Sequence, residues 1–567
     1  MAERFTITVD GRAVEADAGD LLIASAQAAG VYIPRFCWHP RMKPVGMCRM
    51  CLVEIEGPRG TMLTTSCTTK VTEDMVVHTQ SDTVTKAQEG VLEFLLINHP
   101  LDCPVCDRGG ECPLQDQALA YGPGESRFVE EKRHYRKPVE ISDLVLLDRE
   151  RCILCARCTR FSEEISGDPL IEFAGRGSAS RVVTFPDEPF VSYFSGNTVQ
   201  ICPVGALTAA PYRFRARPWD LQAVESTCTM CAVGCRASVQ STGNEVVRIN
   251  GVDSDATNHG WLCDKGRFGF EYLAAPQRIR TPLMRNDAGE LVAASWAEAL
   301  TRVAERLPTD GTAAGLGGAH GTNEEAYAFA KFMRTVARSP HIDATVGDSL
   351  TSLFTVGVQP RATYGDLDRA ATVLVWGPDL KEELPVLYLR VRRAVTEMGA
   401  ELVVVSPRRT GLDKVATHAL RYRPGGAMAM LQRLRSGEDA AGAFTQGPVV
   451  ALIGRTGLGE DPAVSEAAAS WAVDLPGARI LPLVRRGNTV GAVDRGIAPD
   501  LLPGRVAIGD TGAAADLRAV WGEFADDRGH GAGDILDRLA TGEIGALILM
   551  GADPVRDHPD PAKARRA

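Results

Sequence analysis

No cysteine follows Cys263 in this 567-residue chain, and no apolar run approaches the roughly 20 residues that a membrane-spanning helix needs. The longest such runs, VLEFLLI at 91–97 among them, are the size of core elements. A signal-peptide h-region is also missing: the start, MAERFTITVDG, is acidic and polar where one would be apolar. Positive charge is in deficit, with 62 Lys and Arg against 72 Asp and Glu and a formal net charge of −10. That balance argues against a general nucleic-acid binder, which needs a basic face to neutralise phosphates. No GxGxxG follows a predicted strand, so a dinucleotide fingerprint is lacking. Aromatic content is only 6%, yet 45% hydrophobic with 24% charged residues is the composition of a folded chain rather than a disordered one. The length exceeds what a single core organises, so about three to five domains are expected.

What the sequence does have is 15 cysteines, all between Cys37 and Cys263. A chain without an export signal is expected in the reducing cytoplasm, where such a set points to metal or redox chemistry rather than disulfides. By proximity the cysteines form four groups: Cys37, Cys48, Cys51 and Cys67; Cys103, Cys106 and Cys112, with His99 close by; Cys152, Cys155, Cys158 and Cys202; and Cys228, Cys231, Cys235 and Cys263. With His99 counted, the ligands divide into four sets of four and none is left over. Buried inert cysteines would have no reason to cluster in this way.

The first set follows a predicted hairpin, FTITV with a turn at Asp10-Gly11, and a helix over 20–29 backed by Gly30. The strands CLVEIEG and DMVVHT flank Cys67. A strand pair, a helix and a cysteine loop suit a [2Fe–2S] ferredoxin-like, β-grasp domain over 1–80. The spacing C-x10-C-x2-C departs from the plant-type C-x4-C-x2-C, and a zinc site on the same thiolates is the alternative.

The third set carries the most information. Cys152-x2-Cys155-x2-Cys158 with a later Cys202-Pro203 matches one half of a two-cluster bacterial ferredoxin, whose fourth cysteine ligates the other cluster. By that rule the second cluster's ligands belong at 162, 192, 195 and 198, where the sequence has Ser162, Ser192, Ser195 and Thr198. Residues 140–217 are therefore expected to be a degenerate two-cluster ferredoxin module that keeps one [4Fe–4S] centre.

The set His99-x3-Cys103-x2-Cys106-x5-Cys112, within 81–120, offers one imidazole and three thiolates. That donor set is compatible with structural zinc and with a helical segment carrying a histidine-ligated [4Fe–4S] cluster. A helix capped by Ser81 or Asp82, with Val84, Ala87, Val91 and Leu95 on one face, would end at Asn98-His99-Pro100. Its neighbours' chemistry favours the iron–sulfur reading. The set Cys228, Cys231, Cys235 and Cys263, within 221–277, suits [4Fe–4S], with a zinc ribbon as the alternative.

From about 280 the pattern changes to strands alternating with helices, which implies parallel sheets in an α/β domain. TVLVWG (372–377), ELVVVSP (401–407), VVALIG (449–454) and ALILMGADP (546–554) read as strands, and 382–398 as a helix. The Gly-rich GLGGAHG (315–321) reads as a plain loop.

Taken with CDKGR (263–267), QRIRTPLMRNDAGELVAASWAEAL, TNEEAYAFAKFMR, VLVWGPDLKEELP, VVVSPRRT and MGADPVRD, the back half resembles the molybdopterin oxidoreductase superfamily. Preceded by the ferredoxin-like stretch, HPLDCPVCDRGGECPLQDQA and the single-cluster module, the whole order resembles the G-subunit family of bacterial NADH-quinone oxidoreductase, respiratory complex I. The resemblance implies a multidomain α+β and α/β chain with one [2Fe–2S] and three [4Fe–4S] clusters and no catalytic residue of its own. It implies an electron relay that starts at the Cys37 set, passes to the Cys152 set and leaves through His99, with the Cys228 set off the main route.

It also implies a place in the peripheral arm on the cytoplasmic side of the cell membrane, reached only through the complex. The partners implied are an NADH/FMN-binding subunit, a two-cluster ferredoxin-like subunit and other peripheral-arm subunits, with no nucleic acid. The proton translocation implied belongs to the whole complex.

Catalytic members carry a Cys or selenocysteine metal ligand after the segment matching HIDATVGDS; here Asp348 and Ser349 are the available substitutes. They also carry Asp where Ser406 stands and a lysine matching Lys265. The domain at 278–567 is therefore expected to lack molybdopterin and to stop sooner than the family pattern. A catalytic subunit of an NAD-linked formate dehydrogenase is the alternative function, and a zinc-stabilised scaffold without redox role a third.

Overall fold

The computed structural model describes residues 4–567 apart from 186, 348–349, 358–359, 441, 458–459 and 462, so Asp348 and Ser349 lie outside the described residues. The chain divides into two compact units. The first comprises residues 1–225, 237–252 and 261–270; the second comprises 226–236, 253–260 and 271–567. Residues 221–277, which the sequence suggests as one small domain, are thus shared between them. No helix among the described residues is long and apolar enough to cross a membrane.

The first unit opens with β1 (Arg4–Val9) and β2 (Arg12–Asp17), antiparallel about the Asp10-Gly11 turn. Both turn residues have positive φ, 48° and 76°, which suits the twist of a two-residue hairpin. Helix α1 (Leu22–Ala28) follows, with Gly30 at φ 78° ending it. Strands β3 (Leu52–Gly57), β4 (Gly60–Thr65) and β5 (Val76–His78) complete a five-stranded mixed sheet in the order β2-β1-β5-β3-β4, with β1 and β5 parallel. Leu22, Ile23 and Ala26 of α1 are buried against Ile7, Val9, Val53 and Val77 of the sheet. Helix on one face and cysteine loop at one end are the β-grasp arrangement that the sequence suggests.

Helix α2 (Asp82–Leu96) is capped as predicted: the Val84 N–H donates to Ser81 Oγ at 3.2 Å. Its buried stripe is Val84, Gln88 and Leu92, not Val84, Ala87, Val91 and Leu95. Gln88 goes inside because its amide donates to the Leu52 carbonyl, 3.2 Å away, which removes the penalty of burying it. Val91 and Leu95 pack only partly against the core.

In the second unit the strand at 372–376 is the centre of a five-stranded, all-parallel sheet. In spatial order the strands are 418–420, 401–405, 372–376, 449–453 and 479–482, all parallel neighbours. That is the doubly wound order 3-2-1-4-5, which reverses direction beside the first strand. Residues 372–376, 402–405 and 449–453 are buried on both faces, as parallel strands between helix layers must be. A smaller parallel sheet joins 342–343, 313–317 and 546–550.

Two expectations need correction. Gly315–Gly317, read as loop, ends a buried strand: a Cβ on Gly315 would lie 2.8 Å from the Phe329 ring, so packing rather than turn formation selects glycine there. The helix expected over 382–398 is two helices, Leu380–Glu383 and Pro385–Thr396, because Pro385 has no N–H to continue the first and starts the second instead.

Candidate electron-transfer centres

Cys37, Cys51 and Cys67 are buried and Cys48 is partly so, on the loops that leave α1 and flank β3 and β4. Cys37 interacts with Cys48 and Cys67 through their thiols, and Cys51 with Cys67. The Cys37 N–H also points to Cys48 Sγ at 3.4 Å. These thiol contacts hold Cys37 well below the ordinary thiol range and push Cys67 up.

The third set lies deeper. Burial pushes Cys152 to about 12 and Cys155 to about 11, since no solvent stabilises a thiolate there. Cys152, Cys155 and Cys158 each face Cys202. Thiolate in such a place needs a positive metal centre to balance it. The four hydroxyl residues that replace a second ligand set are all buried. Ser162 donates to the Asp168 carbonyl, and Ser192 Oγ donates to Asp168 Oδ2 at 2.8 Å. Thr198 Oγ1 donates to the Ser195 carbonyl at 2.7 Å, and the Ser195 N–H to that of Ser192 at 3.3 Å. Ser195 Oγ donates to Asp264 Oδ2 at 2.5 Å, so the four hydroxyls are satisfied by the Asp168 and Asp264 carboxylates and by backbone carbonyls, and this half of the module is closed by a hydrogen-bond network.

His99, Cys103, Cys106 and Cys112 line one cavity of about 130 Å³, with Arg151 and Gly205 on its wall. His99 follows the end of α2, where the Lys132 ammonium donates to the Leu96 and Ile97 carbonyls at 2.8 and 2.9 Å. Burial, helped by Lys132, lowers the His99 imidazole to about 4, so at neutral pH it is uncharged and has a lone pair for a metal. Helix α3 (Pro113–Tyr121) starts immediately after Cys112. Arg217 donates to the Cys106 carbonyl at 2.6 Å and to that of Pro104, clamping the turn between Cys103 and Cys106. Sequence reading missed Arg217, which lies more than 100 residues from that turn.

Cys37, Cys112, Cys155 and Cys202, one or more from each set, are buried in one apolar core against which Cys48, Cys152 and Cys158 pack, while Cys51 and Cys67 belong to the core under the β1–β5 sheet. The Cys152 set lies between the other two. On one side Cys155 faces Cys37. On the other, Cys112 Sγ is 3.7 Å from the Pro203 carbonyl, and a Cβ on Gly205 would come within 2.1 Å of Cys106 Sγ. Gly205 is therefore glycine because the chain after Cys202 runs directly against the Cys106 sulfur.

In the second unit Cys228, Cys231 and Cys235 share a loop closed by the Cys228 N–H donating to the Cys235 carbonyl at 2.8 Å. Cys263 belongs to the first unit, where the Gly266 N–H points to its Sγ at 3.4 Å. Lys265 is exposed. Among the described residues no group of three or more His, Cys, Asp or Glu is placed to hold a single metal ion.

The segments that carry the sets match known iron–sulfur families. Residues 2–82 match the 2Fe-2S iron-sulfur cluster binding domain, 88–127 the NADH-ubiquinone oxidoreductase-G iron-sulfur binding region, and 142–208 the ferredoxin-like domain of NADH-quinone oxidoreductase subunit 3. Residues 221–275 match the molybdopterin oxidoreductase Fe4S4 domain and 278–435 molybdopterin oxidoreductase. The chain is 42% identical to the G subunit of NADH-quinone oxidoreductase from Streptomyces coelicolor over 99% of its own length and 70% of that protein. The chain belongs to the G-subunit family of NADH-quinone oxidoreductase. Another relative, NADH-quinone oxidoreductase subunit 3 of Thermus thermophilus, is 35% identical over 87% of this chain and 70% of its own. The G-subunit family has neighbours with other names: the NADPH-Fe(3+) oxidoreductase subunit alpha of Geobacter sulfurreducens is 32% identical over 99% of this chain and 73% of its own.

Proposed function

We propose that the chain is the iron–sulfur electron-carrying subunit of an NADH-quinone oxidoreductase, relaying electrons from an NADH/FMN-binding subunit towards a two-cluster ferredoxin-like subunit and quinone. The observation that carries this reading is the position of the Cys152 set, packed between Cys37 of the first set and Cys106 and Cys112 of the His99 set, with Cys37, Cys112, Cys155 and Cys202 sharing one apolar core. A relay needs its carriers close together and shielded from water, and this order gives a first, a middle and a last carrier.

The assignments are a [2Fe–2S] cluster on Cys37, Cys48, Cys51 and Cys67, and [4Fe–4S] clusters on His99, Cys103, Cys106 and Cys112, on Cys152, Cys155, Cys158 and Cys202, and on Cys228, Cys231, Cys235 and Cys263. When bound, such clusters supply one-electron carriers whose potentials depend on ligand type, burial and hydrogen bonds to sulfur. The chain's own residues exclude water, fix the sulfurs and remove clashes, as Gly205 does. The relay itself calls for no general base.

Ser406 supports a back half without molybdopterin. It is buried and donates to the Gly377 carbonyl at 3.1 Å, offering no carboxylate to a nucleotide at the end of strand 401–405. Formate oxidation through a pterin-bound metal is not favoured, since relatives covering nearly the whole chain are named as NADH-quinone oxidoreductase subunits. The peripheral arm on the cytoplasmic side of the membrane is the place this function requires.

Iron and acid-labile sulfide analysis on anaerobically purified protein, with electron paramagnetic resonance after dithionite, tests the proposal. Signals from two-iron and four-iron centres are expected, without stoichiometric molybdenum or tungsten. Colourless protein with zinc in place of iron would sink it.

His99→Cys should keep a four-iron centre but lower its potential, since a thiolate adds negative charge where the neutral imidazole adds none. Electron flow to quinone should slow. Redox titration of the variant checks this; an unchanged potential contradicts the ligand role of His99.

A further inference from the structure

The relay assigns no part to Arg157, whose guanidinium lies among the Cys155, Cys202 and Cys37 thiols. Nη1 donates to the Ile201 carbonyl at 3.0 Å and Nη2 to the Trp38 carbonyl at 2.6 Å. Those acceptors are the residues next to Cys202 and Cys37, so one side chain ties the backbone of two ligand sets together. Its Nε is enclosed and makes no hydrogen bond, and among the described residues no Asp or Glu pairs with it.

Arg160 stands beside it. This second guanidinium is buried and donates only to carbonyls, among them those of Lys43 at 2.6 Å and of Cys37.

Two adjacent cations without an acid are costly away from water unless a negative group faces them. Among the described residues the candidates in contact are the cysteine sets. A cluster held by four thiolates is net negative and becomes more so on reduction, so a fixed cation beside it favours the reduced state.

We propose that Arg157, backed by Arg160, is a shared electrostatic anchor for the centres on the Cys37 and Cys152 sets, raising both reduction potentials together while holding the two ligand loops at a fixed separation. The inference rests on the iron–sulfur reading of these sets. Because the charge lies between them, the difference between the two potentials, which drives the electron step, stays nearly independent of it. One electron leaves the Cys37 set and the same electron reaches the Cys152 set; no proton moves and the arginine keeps its charge.

The test uses the full chain with its clusters, as wild type, Arg157→Gln and Arg157→Lys, in potentiometric titrations followed by electron paramagnetic resonance. Gln can still donate to a carbonyl but has no charge. In the Gln variant both potentials should fall, each by about the 59 mV that a tenfold change means for a one-electron couple. The Lys variant should stay close to wild type. If the Gln variant assembles neither centre while the Lys variant assembles both at wild-type potentials, the shared charge is supported as well. A shift confined to one centre, no shift, or a Lys variant as altered as the Gln variant overturns the proposal. Absence of iron–sulfur signals from the wild type would instead overturn the function proposed above.

Discussion

Cys155→Ala should abolish electron flow from NADH to quinone in the assembled complex while leaving NADH oxidation by an artificial acceptor upstream largely intact. The reason is positional. Cys155 is buried and faces both Cys37 and Cys202, so it belongs to the middle set and lies on the side turned towards the first set. A [4Fe–4S] centre with one thiolate missing, in a pocket that water does not reach, has no replacement ligand. Losing the middle carrier lengthens the remaining gap between the Cys37 and His99 sets, and electron tunnelling falls steeply with distance. Iron analysis should show the loss of one four-iron centre, and the two-iron signal should persist. Quinone reduction at the wild-type rate in a variant that has lost the middle centre would refute the relay order.

The second large effect is expected far from any cysteine. Trp376 ends the central strand of the parallel sheet, is 0% exposed, and stacks with Tyr422 at a centroid distance of 6.5 Å. It packs in a core with Leu374, Val403, Met430, Ala451 and Ile480. Trp376→Ala removes a large buried side chain and leaves a cavity between sheet and helices. The cost should be about 3–5 kcal/mol, with a fall in the melting temperature of the second unit on the order of 10 °C. The Cys37, Cys152 and His99 sets belong to the first unit, so iron and sulfide at those centres should be retained. Calorimetry together with iron analysis checks both halves of the prediction. Coordinated loss of stability and of those three centres would show that the back half supports them directly.

Much of the candidate site is legible in the sequence because ligand chemistry is local. Cys152 and Cys155 lie on the loop that leads into the short helix carrying Cys158, and the hydroxyls at 162, 192, 195 and 198 are interpretable from spacing alone. Those hydroxyls then make the buried network that serine and threonine can make and alanine could not. The hairpin at Asp10-Gly11, the Ser81 cap and the parallel strands were legible for the same reason, since turn chemistry, capping and apolar runs act over a few residues. The Gln88 stripe, the strand through Gly315 and the Pro385 helix break were not. In the first two, a distant partner, the Leu52 carbonyl or the Phe329 ring, decides which residue goes inside. Pro385 sits inside a stretch of continuous helical periodicity, and its missing N–H breaks the helix where the apolar period does not.

By itself, the sequence determined the candidate donors: fifteen cysteines and His99 in four groups, with hydroxyls at 162, 192, 195 and 198 where a second ferredoxin ligand set would stand. Tertiary structure alone decided their order in space, with the Cys152 set between the Cys37 and His99 sets, and brought Arg157, Arg217 and Gly205 against them from remote parts of the chain. The physical reason is range. A ligand's chemistry is a property of its own atoms and near neighbours, whereas a carrier's place in a relay and the charge that surrounds it depend on packing between segments 44 to more than 100 residues apart.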